Sequence, residues 1–347
     1  MGVGLDGSSP APMRFLLFLV AAAASAADTS KLRIHELAEK GQPARLEDLP
    51  RLREAQKDKV FTQEMPNPVF RLSDLAFLGA GRKEKLDLYL PHGPDRKDRP
   101  AVVFIHGGGF TGGDKAEYRS SSVSADLARA GYVVVSCNYV LGAKTKEGVW
   151  PQNLADCREA VRWVRKHAKE LGVNPDKLAV AGGSAGGYLA LMVGLSDDKT
   201  GPGGDPQAAV SAKVAAVIDM YGVVNFSKHG KGDVPGVAAA QQAAYLPEQQ
   251  CDRTDPPVLI LHGDADTTVD IQQSKDMAVA LAAAKLDHEL IVIAGAGHTF
   301  DLHAKGKGWT RVARRWTTDG KETRVETKAD TDITAPTLAF LERTIGK

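Results

Sequence analysis

The sequence predicts an α/β fold with a mostly parallel central sheet and helices on both of its faces. Continuously apolar segments, typical of strands that are buried on both sides, recur along the chain at residues 99–105, 132–140, 177–182, 213–222, 256–263 and 288–295. Helical segments alternate with them. Strands that alternate with helices indicate a parallel sheet, because each crossover helix covers a face of the sheet.

The helical segments are recognised by their apolar spacing. Between residues 151 and 172, Leu154, Val161 and Val164 recur near the 3.6-residue period of an amphipathic helix, and Gly172 is placed to end it. Further helices are expected at residues 124–131, 185–195, 271–285 and 334–346. Alternating apolar and polar residues predict two half-buried strands at 69–78 and 85–91, and a hairpin at 311–328 that turns at Asp319-Gly320.

The first 26 residues have the features of an export signal. Arg14 provides a short basic segment, residues 15–23 are apolar, and Ala24-Ser25-Ala26 matches the small-x-small pattern of a cleavage site. We therefore expect a signal peptide at residues 1–26, or one that starts at Met13, and a secreted or periplasmic protein.

The rest of the chain divides into a charged, helical N-terminal extension at residues 27–67 and one α/β domain at residues 68–347, which contains all the segments of the predicted sheet. The net charge of +1 creates no strong field that would favour nucleic acid. The apolar run of the signal is too short for stable membrane insertion. Three cysteines suggest no disulfide framework, and no metal-binding spacing occurs, so neither a metal nor a cofactor is expected.

One serine stands among four glycines, in the stretch Gly182-Gly183-Ser184-Ala185-Gly186-Gly187. The G-x-S-x-G pattern lies directly after a predicted strand and directly before a predicted helix. A nucleophile on such a sharp turn needs neighbours without side chains that would clash with the strand and the helix. Ser184 is therefore the predicted nucleophile, the alternative being a tight glycine turn with an idle serine.

A serine nucleophile needs a base, and with this serine turn the order along the chain is Ser, then Asp or Glu, then His. His298 follows the last apolar strand and is the predicted base. Asp266 follows the strand before it and is predicted to orient the imidazole and stabilise its charged form. Asp264 and Asp270 remain alternatives, and either of them could instead cap a turn or the following helix.

The other histidines have less favourable positions. His303 is a minor rival to His298, and His262 is expected to be packed inside a strand end. His106 is expected to brace its loop. The remaining histidines lie in charged or loop contexts and are expected to be solvated: His35, His92, His167, His229 and His288.

Three glycines at residues 107–109 follow a buried strand, in the stretch FIHGGGF. Their N–H groups, together with that of Ala185, are expected to point at the oxyanion of a tetrahedral intermediate. The alternative is a phosphate cradle. The stretch lacks both the following Lys-Ser/Thr of a P-loop and the G-x-G-x-x-G spacing.

These motifs resemble the esterase/lipase branch of the α/β-hydrolase superfamily, related to hormone-sensitive lipase and to bacterial feruloyl and acetylxylan esterases of the BD-FAE type. The resemblance runs from about residue 69 to residue 302 and rests on HGGGF, DCREAVRWVRKHA, LAVAGGSAGGYLA, HGDADTTV and GHTF. It implies an α/β-hydrolase fold. It also implies a catalytic triad of Ser184, Asp266 and His298, with an oxyanion hole formed by Gly108, Gly109 and Ala185.

The chain also departs from this family. It has Tyr139-Val140-Leu141 where many relatives have Tyr-Arg-Leu, and Tyr188 where many have His. The segment at 223–257, where relatives often carry a lid, is short. These changes leave the predicted chemistry intact but affect the identity of the substrate.

The preferred function is a secreted serine carboxylesterase that acts on short-acyl esters, including acetyl or feruloyl groups on polysaccharides. Its substrate is a small-molecule or carbohydrate ester, and Trp150, Trp309 and Trp316 are candidates for stacking on sugars. The alternative is a prolyl-oligopeptidase-type serine peptidase, although residues 28–68 are too few for that family's accessory domain. A non-catalytic binding protein would usually lack a triad member, and this chain has all three.

Overall fold

The computed structural model describes residues 34–37, 45–57, 68–92, 96–142, 149–228, 230, 232–234, 236–300, 310–316, 321–328 and 333–347. The predicted signal peptide at 1–26, His229, His303 and Trp309 lie outside the described residues.

The described strands form one sheet of eleven strands in the order β1-β2-β3-β5-β4-β6-β7-β8-β9-β10-β11. The six central strands, in the order β5-β4-β6-β7-β8-β9, are parallel to one another. Strand β3 is antiparallel to its neighbours β2 and β5, and β10 is antiparallel to its neighbours β9 and β11. The predicted mostly parallel sheet is therefore confirmed. The strands are β1 (Ile34–Glu36), β2 (Val69–Ala76), β3 (Lys85–Pro91), β4 (Arg99–Ile105), β5 (Val133–Cys137), β6 (Val173–Gly183), β7 (Ala216–Met220), β8 (Val258–Gly263), β9 (His288–Ile293), β10 (Thr310–Trp316) and β11 (Glu322–Lys328).

Helices cover both faces of the sheet, as the alternating pattern predicted. The described α-helices are α1 (Leu49–Lys57), α2 (Tyr118–Arg129), α3 (Gln152–Lys166), α4 (Ala168–Leu171), α5 (Ala185–Leu195), α6 (Gln272–Ala283) and α7 (Thr334–Thr344). Buried residues of α1, α3, α5 and α6 pack into one apolar cluster, and those of α2 and α7 pack into a second. The sheet lies between the two clusters.

Two expectations about helices need correction. The N-terminal extension is helical at α1, but Ile34–Glu36 forms a strand that pairs in parallel with β2. Three residues is too short for a periodic signal, so only the pairing reveals this strand. The long helix predicted at 151–172 divides into α3 and α4 at His167, and Gly172 ends it with a left-handed φ of 68°.

The predicted hairpin is present as β10 and β11, which pair antiparallel from Thr310 with Lys328 to Trp316 with Glu322. The turn at Asp319-Gly320 lies outside the described residues. The hairpin extends the main sheet, because β10 also pairs with β9.

The prediction that His288 is solvated is wrong. His288 begins β9 and its ring is buried, because the strand carries the ring into the interior despite the charged neighbours in sequence. Within the described part of the chain, no helix is both long enough and apolar enough to cross a membrane.

The direction of the strands brings five loops together. Strands β4, β6, β7, β8 and β9 are parallel, so their carboxyl ends meet at one edge of the sheet. Open α/β sheets bind their ligands at this edge. The predicted nucleophile, acid, base and glycine loop all follow these strands.

Candidate active site

Ser184 occupies a sharp turn between β6 and α5. Its φ of 57° and ψ of −120° lie in a region that residues other than glycine rarely adopt. The turn is fixed on two sides, because the Ser184 N–H donates to the Met220 carbonyl at 2.8 Å and the Ser184 carbonyl accepts from the N–H of Tyr188 at 3.1 Å. Such strain persists only where the surrounding structure holds it.

Gly186 allows this turn to approach the sheet closely. A Cβ atom at Gly186 would collide with the carbonyl oxygen of Ile105 and would lie 2.6 Å from that of His106. The glycine pattern around Ser184 therefore has the steric basis that the sequence indicated.

The structure brings Ser184, His298 and Asp266 into one chain of hydrogen bonds. His298 Nε2 lies 3.0 Å from Ser184 Oγ, and His298 Nδ1 lies 2.6 Å from Asp266 Oδ2. Because a carboxylate only accepts, Nδ1 carries the proton and donates it to Asp266. Nε2 of the neutral ring is then free to accept from the serine hydroxyl. The His298 side chain is 14% exposed, so the imidazole is partly accessible to solvent.

The Asp266 carboxylate is buried and receives several donors. Its Oδ1 accepts from the N–H groups of Thr268 at 2.8 Å and Val269 at 2.9 Å. Burial by itself raises the pKa of Asp266, but hydrogen bonds from His262, His298 and the Val269 N–H outweigh it and hold the pKa well below its usual range. Asp266 is therefore ionised at neutral pH.

The two alternative carboxylates have structural positions. Asp264 Oδ1 accepts from the N–H of Gly295 at 2.6 Å and so braces the loop that carries His298. Asp270 Oδ1 accepts from the N–H of Gln272 at 2.8 Å, at the beginning of α6. Of the three candidate aspartates, Asp266 is the one that contacts His298.

The glycine loop after β4 packs directly against the serine turn. A Cβ atom at Gly107 would lie 3.3 Å from the Cβ of Ser184. Gly108 and Gly109 have φ values of 110° and 61°, and a Cβ atom at Gly108 would collide with the backbone of Gly112. Ala185 begins α5, so its N–H is one of the first four that have no acceptor within the helix.

His106 braces this loop, as expected. Its Nδ1 donates to the Gly107 carbonyl at 2.7 Å, and its ring stacks on Tyr139 with 4.4 Å between centroids. The Tyr139 hydroxyl donates to the His106 carbonyl at 3.1 Å. The ring is buried, and this desolvation lowers the pKa of His106 to about 4, despite the hydrogen bond to Gly107.

Aromatic side chains fill the space beside the serine turn and the glycine loop. Phe110, Trp150 and Tyr188 meet edge to face, with centroids 5.0 to 5.6 Å apart. The short segment at 223–257, where relatives often carry a lid, contributes two 3₁₀ helices, Ala239–Tyr245 and Pro247–Gln249. The Tyr188 hydroxyl donates to the carbonyl of Tyr245 at 2.8 Å, which fixes the first of them to α5. Trp150 is thus packed among aromatic rings.

Sequence reasoning missed two contacts of this site. His262 was predicted to be packed, and it is buried, but it also lies 3.2 Å from Asp266 Oδ2. Tyr221 has a left-handed φ of 48°, and its ring lies 4.8 Å from that of His298. Their position in the sequence could have indicated these contacts, since both residues lie at the carboxyl ends of strands that carry the site. Within the described residues, no cluster of three or more His, Cys, Asp or Glu side chains could hold a metal ion.

We predict that protonation of His106 contributes to acid unfolding. The folded protein keeps this ring neutral down to about pH 4, whereas the unfolded chain protonates near pH 6.5, so stability falls as pH decreases through this window. The shift corresponds to about 3 kcal/mol. Urea unfolding at several pH values between 7 and 4 should show a shallower loss of stability for His106→Asn than for the wild type.

Asp219 is a second buried group that titrates in this range, because burial raises its pKa to about 7. Its contribution to stability increases as pH falls, opposite to that of His106, but it is the same in both proteins. The difference between the two plots of stability against pH therefore reports on His106. Equal slopes for wild type and His106→Asn would contradict the prediction.

Comparison with known proteins identifies the family of this chain. The BD-FAE family model matches residues 86–281, more than half of the chain. LipM of Mycobacterium tuberculosis, a probable carboxylic ester hydrolase, is 28% identical over 250 residues, which cover 66% of this chain and 56% of LipM. The chain therefore matches little more than half the length of this curated relative.

Solved structures share the fold. Thermogutta terrifontis esterase 2 with butyrate bound is 31% identical with a TM-score of 0.54, covering 64% of this chain and 82% of the esterase. A truncated carbohydrate esterase from gut microbiota has a TM-score of 0.58 at 23% identity, covering 66% of this chain and 88% of that one. This second likeness concerns the fold. The chain belongs to the BD-FAE family, within the esterase/lipase branch of the α/β-hydrolase superfamily.

Proposed function

We propose that the protein is a serine carboxylesterase that uses Ser184 as nucleophile, His298 as general base and Asp266 as the group that orients His298. The observation that carries the proposal is the continuous hydrogen-bond chain from Ser184 Oγ through both nitrogens of His298 to the ionised Asp266. The esterase relatives support this choice of reaction.

The geometry accounts for each proton transfer. His298 Nε2 takes the proton of Ser184 as the hydroxyl oxygen attacks the ester carbonyl, and Asp266 stabilises the resulting imidazolium. The N–H groups of Gly108, Gly109 and Ala185 stabilise the oxyanion of the tetrahedral intermediate. His298 then donates its proton to the departing alcohol, which leaves an acyl group on Ser184. Water, activated by the same histidine, releases the acid.

We propose that the acyl group is short. The rings of Trp150 and Phe226 pack against those of Phe110 and Tyr188. The Tyr188–Tyr245 hydrogen bond holds the 3₁₀ helix Ala239–Tyr245 beside α5. This packing argues against a long apolar channel. The butyrate found in the Thermogutta terrifontis esterase supports the same size range. The resemblance to feruloyl and acetylxylan esterases makes acetyl or feruloyl groups on polysaccharides the natural substrates to test.

The function predicts rapid hydrolysis of p-nitrophenyl acetate and butyrate, slower hydrolysis of the octanoate, and loss of activity in Ser184→Ala. Removal of a triad member typically lowers kcat by about 10⁴ to 10⁶-fold. The measurement is steady-state release of p-nitrophenol by residues 27–347 of both proteins. Acetylated and feruloylated glycans, assayed with the same pair of proteins, then test the natural substrate.

Full activity of a folded Ser184→Ala variant would contradict the assignment of the nucleophile. A wild-type protein that hydrolyses none of these esters but cleaves proline-containing peptides would point to the peptidase alternative. Octanoate hydrolysed as well as acetate would contradict the short acyl pocket.

We also propose that the protein is exported, supported by the basic, apolar and small-x-small segments at residues 1–26. Cleavage after Ala26 leaves Ala27 as the first residue of the mature chain. N-terminal sequencing of the protein from the periplasm or medium of an expressing bacterium should identify Ala27. An intact N-terminus on protein confined to the cytoplasm would contradict export.

A further inference from the structure

His262 is a fully buried histidine at the carboxyl end of β8, four residues before Asp266. Its ring contacts groups on both sides. Nε2 lies 3.2 Å from Asp266 Oδ2 and 2.9 Å from the carbonyl oxygen of Val269, and Nδ1 lies 2.6 Å from the hydroxyl of Ser274 on α6. The proposed triad of Ser184, His298 and Asp266 gives His262 no role.

The contacts determine the tautomer of His262. Both neighbours of Nε2, the Asp266 carboxylate and the Val269 carbonyl, are acceptors, so Nε2 must carry a proton and donate it. Ser274 can donate its hydroxyl proton to Nδ1. A neutral ring therefore satisfies every contact, and His262 adds no charge of its own to the interior.

His262 and His298 donate to the same oxygen. Asp266 Oδ2 receives Nδ1–H of His298 at 2.6 Å and Nε2–H of His262 at 3.2 Å. The backbone N–H groups of Thr268 and Val269 bind the other oxygen, Oδ1. Among the contacts of the described residues, Oδ2 without His262 would keep only the one from His298, and the direction of the carboxylate would depend on the residue that it is meant to orient.

We propose that His262 is a positioning residue that fixes Asp266 Oδ2 in the direction of His298 and withdraws negative charge from that oxygen. The inference rests on the proposed triad. Its chemical consequence concerns the proton on His298. When Oδ2 keeps more of its charge, the carboxylate attracts the imidazolium form of His298 more strongly, and the ring releases its proton only at higher pH.

Other groups face the same pair of histidines. The carboxyl of Asp219, at the end of β7, is buried and interacts with His262. The ring of Tyr221 lies 4.8 Å from that of His298 and 6.5 Å from that of His262. Asp219 and Tyr221 are kept in the variants below, and every His262 variant lacks the imidazole that interacts with Asp219, so a difference between His262→Gln and His262→Asn reports on the donor to Asp266.

The test uses two amides that resemble different nitrogens of the ring. His262→Gln places an NH₂ group near the position of Nε2, where it can donate to both Asp266 and Val269. His262→Asn is shorter; it resembles Nδ1, keeps a polar atom near Ser274 and loses the donor to Asp266. His262→Leu is a second variant without the donor, in case the asparagine variant does not fold. Each is compared by thermal melting and by kcat for p-nitrophenyl acetate between pH 5 and 9.

His288→Asn is the matched control. His288 is also buried, but it lies at the opposite end of the neighbouring strand: it pairs with Val258 across β8 and β9, whereas His262 pairs with Val292. Its substitution removes a buried imidazole without altering the site.

We expect His262→Asn and His262→Leu to lower kcat by about 10 to 100-fold, by analogy with the hydrogen-bond partners that orient the ligands of a metal ion. The acid limb of their pH profiles should move to higher pH. His262→Gln should recover most of kcat and the wild-type acid limb, and His288→Asn should keep both, even if its melting temperature falls.

Two results would overturn the proposal while leaving the esterase assignment intact. One is a wild-type pH profile and kcat in folded His262→Asn or His262→Leu. The other is a lower kcat in His262→Asn and His262→Leu with an unchanged acid limb, together with a kcat that stays equally low in His262→Gln. This result would indicate a purely structural role. A wild type without Ser184-dependent ester hydrolysis would instead overturn the proposed function itself, and the positioning role with it.

Discussion

The hydrogen bond between the Asp266 carboxylate and His298 Nδ1 determines how the rest of the site is arranged. At 2.6 Å it assigns the proton of His298 to Nδ1 and leaves Nε2 directed at Ser184 Oγ. The carboxylate is removed from water, which by itself would favour its neutral form, but the donors around it reverse that preference. The chain therefore buries a charge next to a histidine that gains one during the proposed reaction.

The parallel sheet makes this arrangement possible for residues that are far apart in sequence. Ser184 and His298 are separated by 114 positions, yet each follows a strand that ends at the same edge. The backbone also contributes directly. The strained Ser184 turn is hydrogen-bonded to the end of β7, and the glycine loop after β4 lies so close to it that a Cβ atom at Gly107 would be 3.3 Å from the Cβ of Ser184. Strain at the nucleophile is thus supported by two neighbouring strands.

Much of this arrangement could be predicted because it depends on local sequence. The positions of Ser184 and His298 follow from apolar strands, glycines and chain order, and these signals need no knowledge of tertiary contacts. The sequence favoured Asp266 but left Asp264 and Asp270 as alternatives, and the choice among them depends on tertiary structure. All three follow the same strand, and only the paths of the loops show that Asp266 faces His298 while the other two bind backbone N–H groups.

The features that were missed depend on contacts between distant segments. β1 is three residues long and is defined by its pairing with β2. His288 has charged neighbours in sequence and is buried by the sheet. The contact of His262 with Asp266 is invisible in the pattern of β8, which reads as an ordinary buried strand. Burial of single polar residues is set by tertiary packing, which periodicity does not describe.

The most direct test of the account is covalent labelling of Ser184 with diisopropyl fluorophosphate, read by intact mass and peptide mapping. A serine activated by His298 and Asp266 should take up one phosphoryl group per chain, on the peptide that contains Ser184, and His298→Ala should react far more slowly. Labelling confined to another serine, or equal labelling rates in wild type and His298→Ala, would contradict the account.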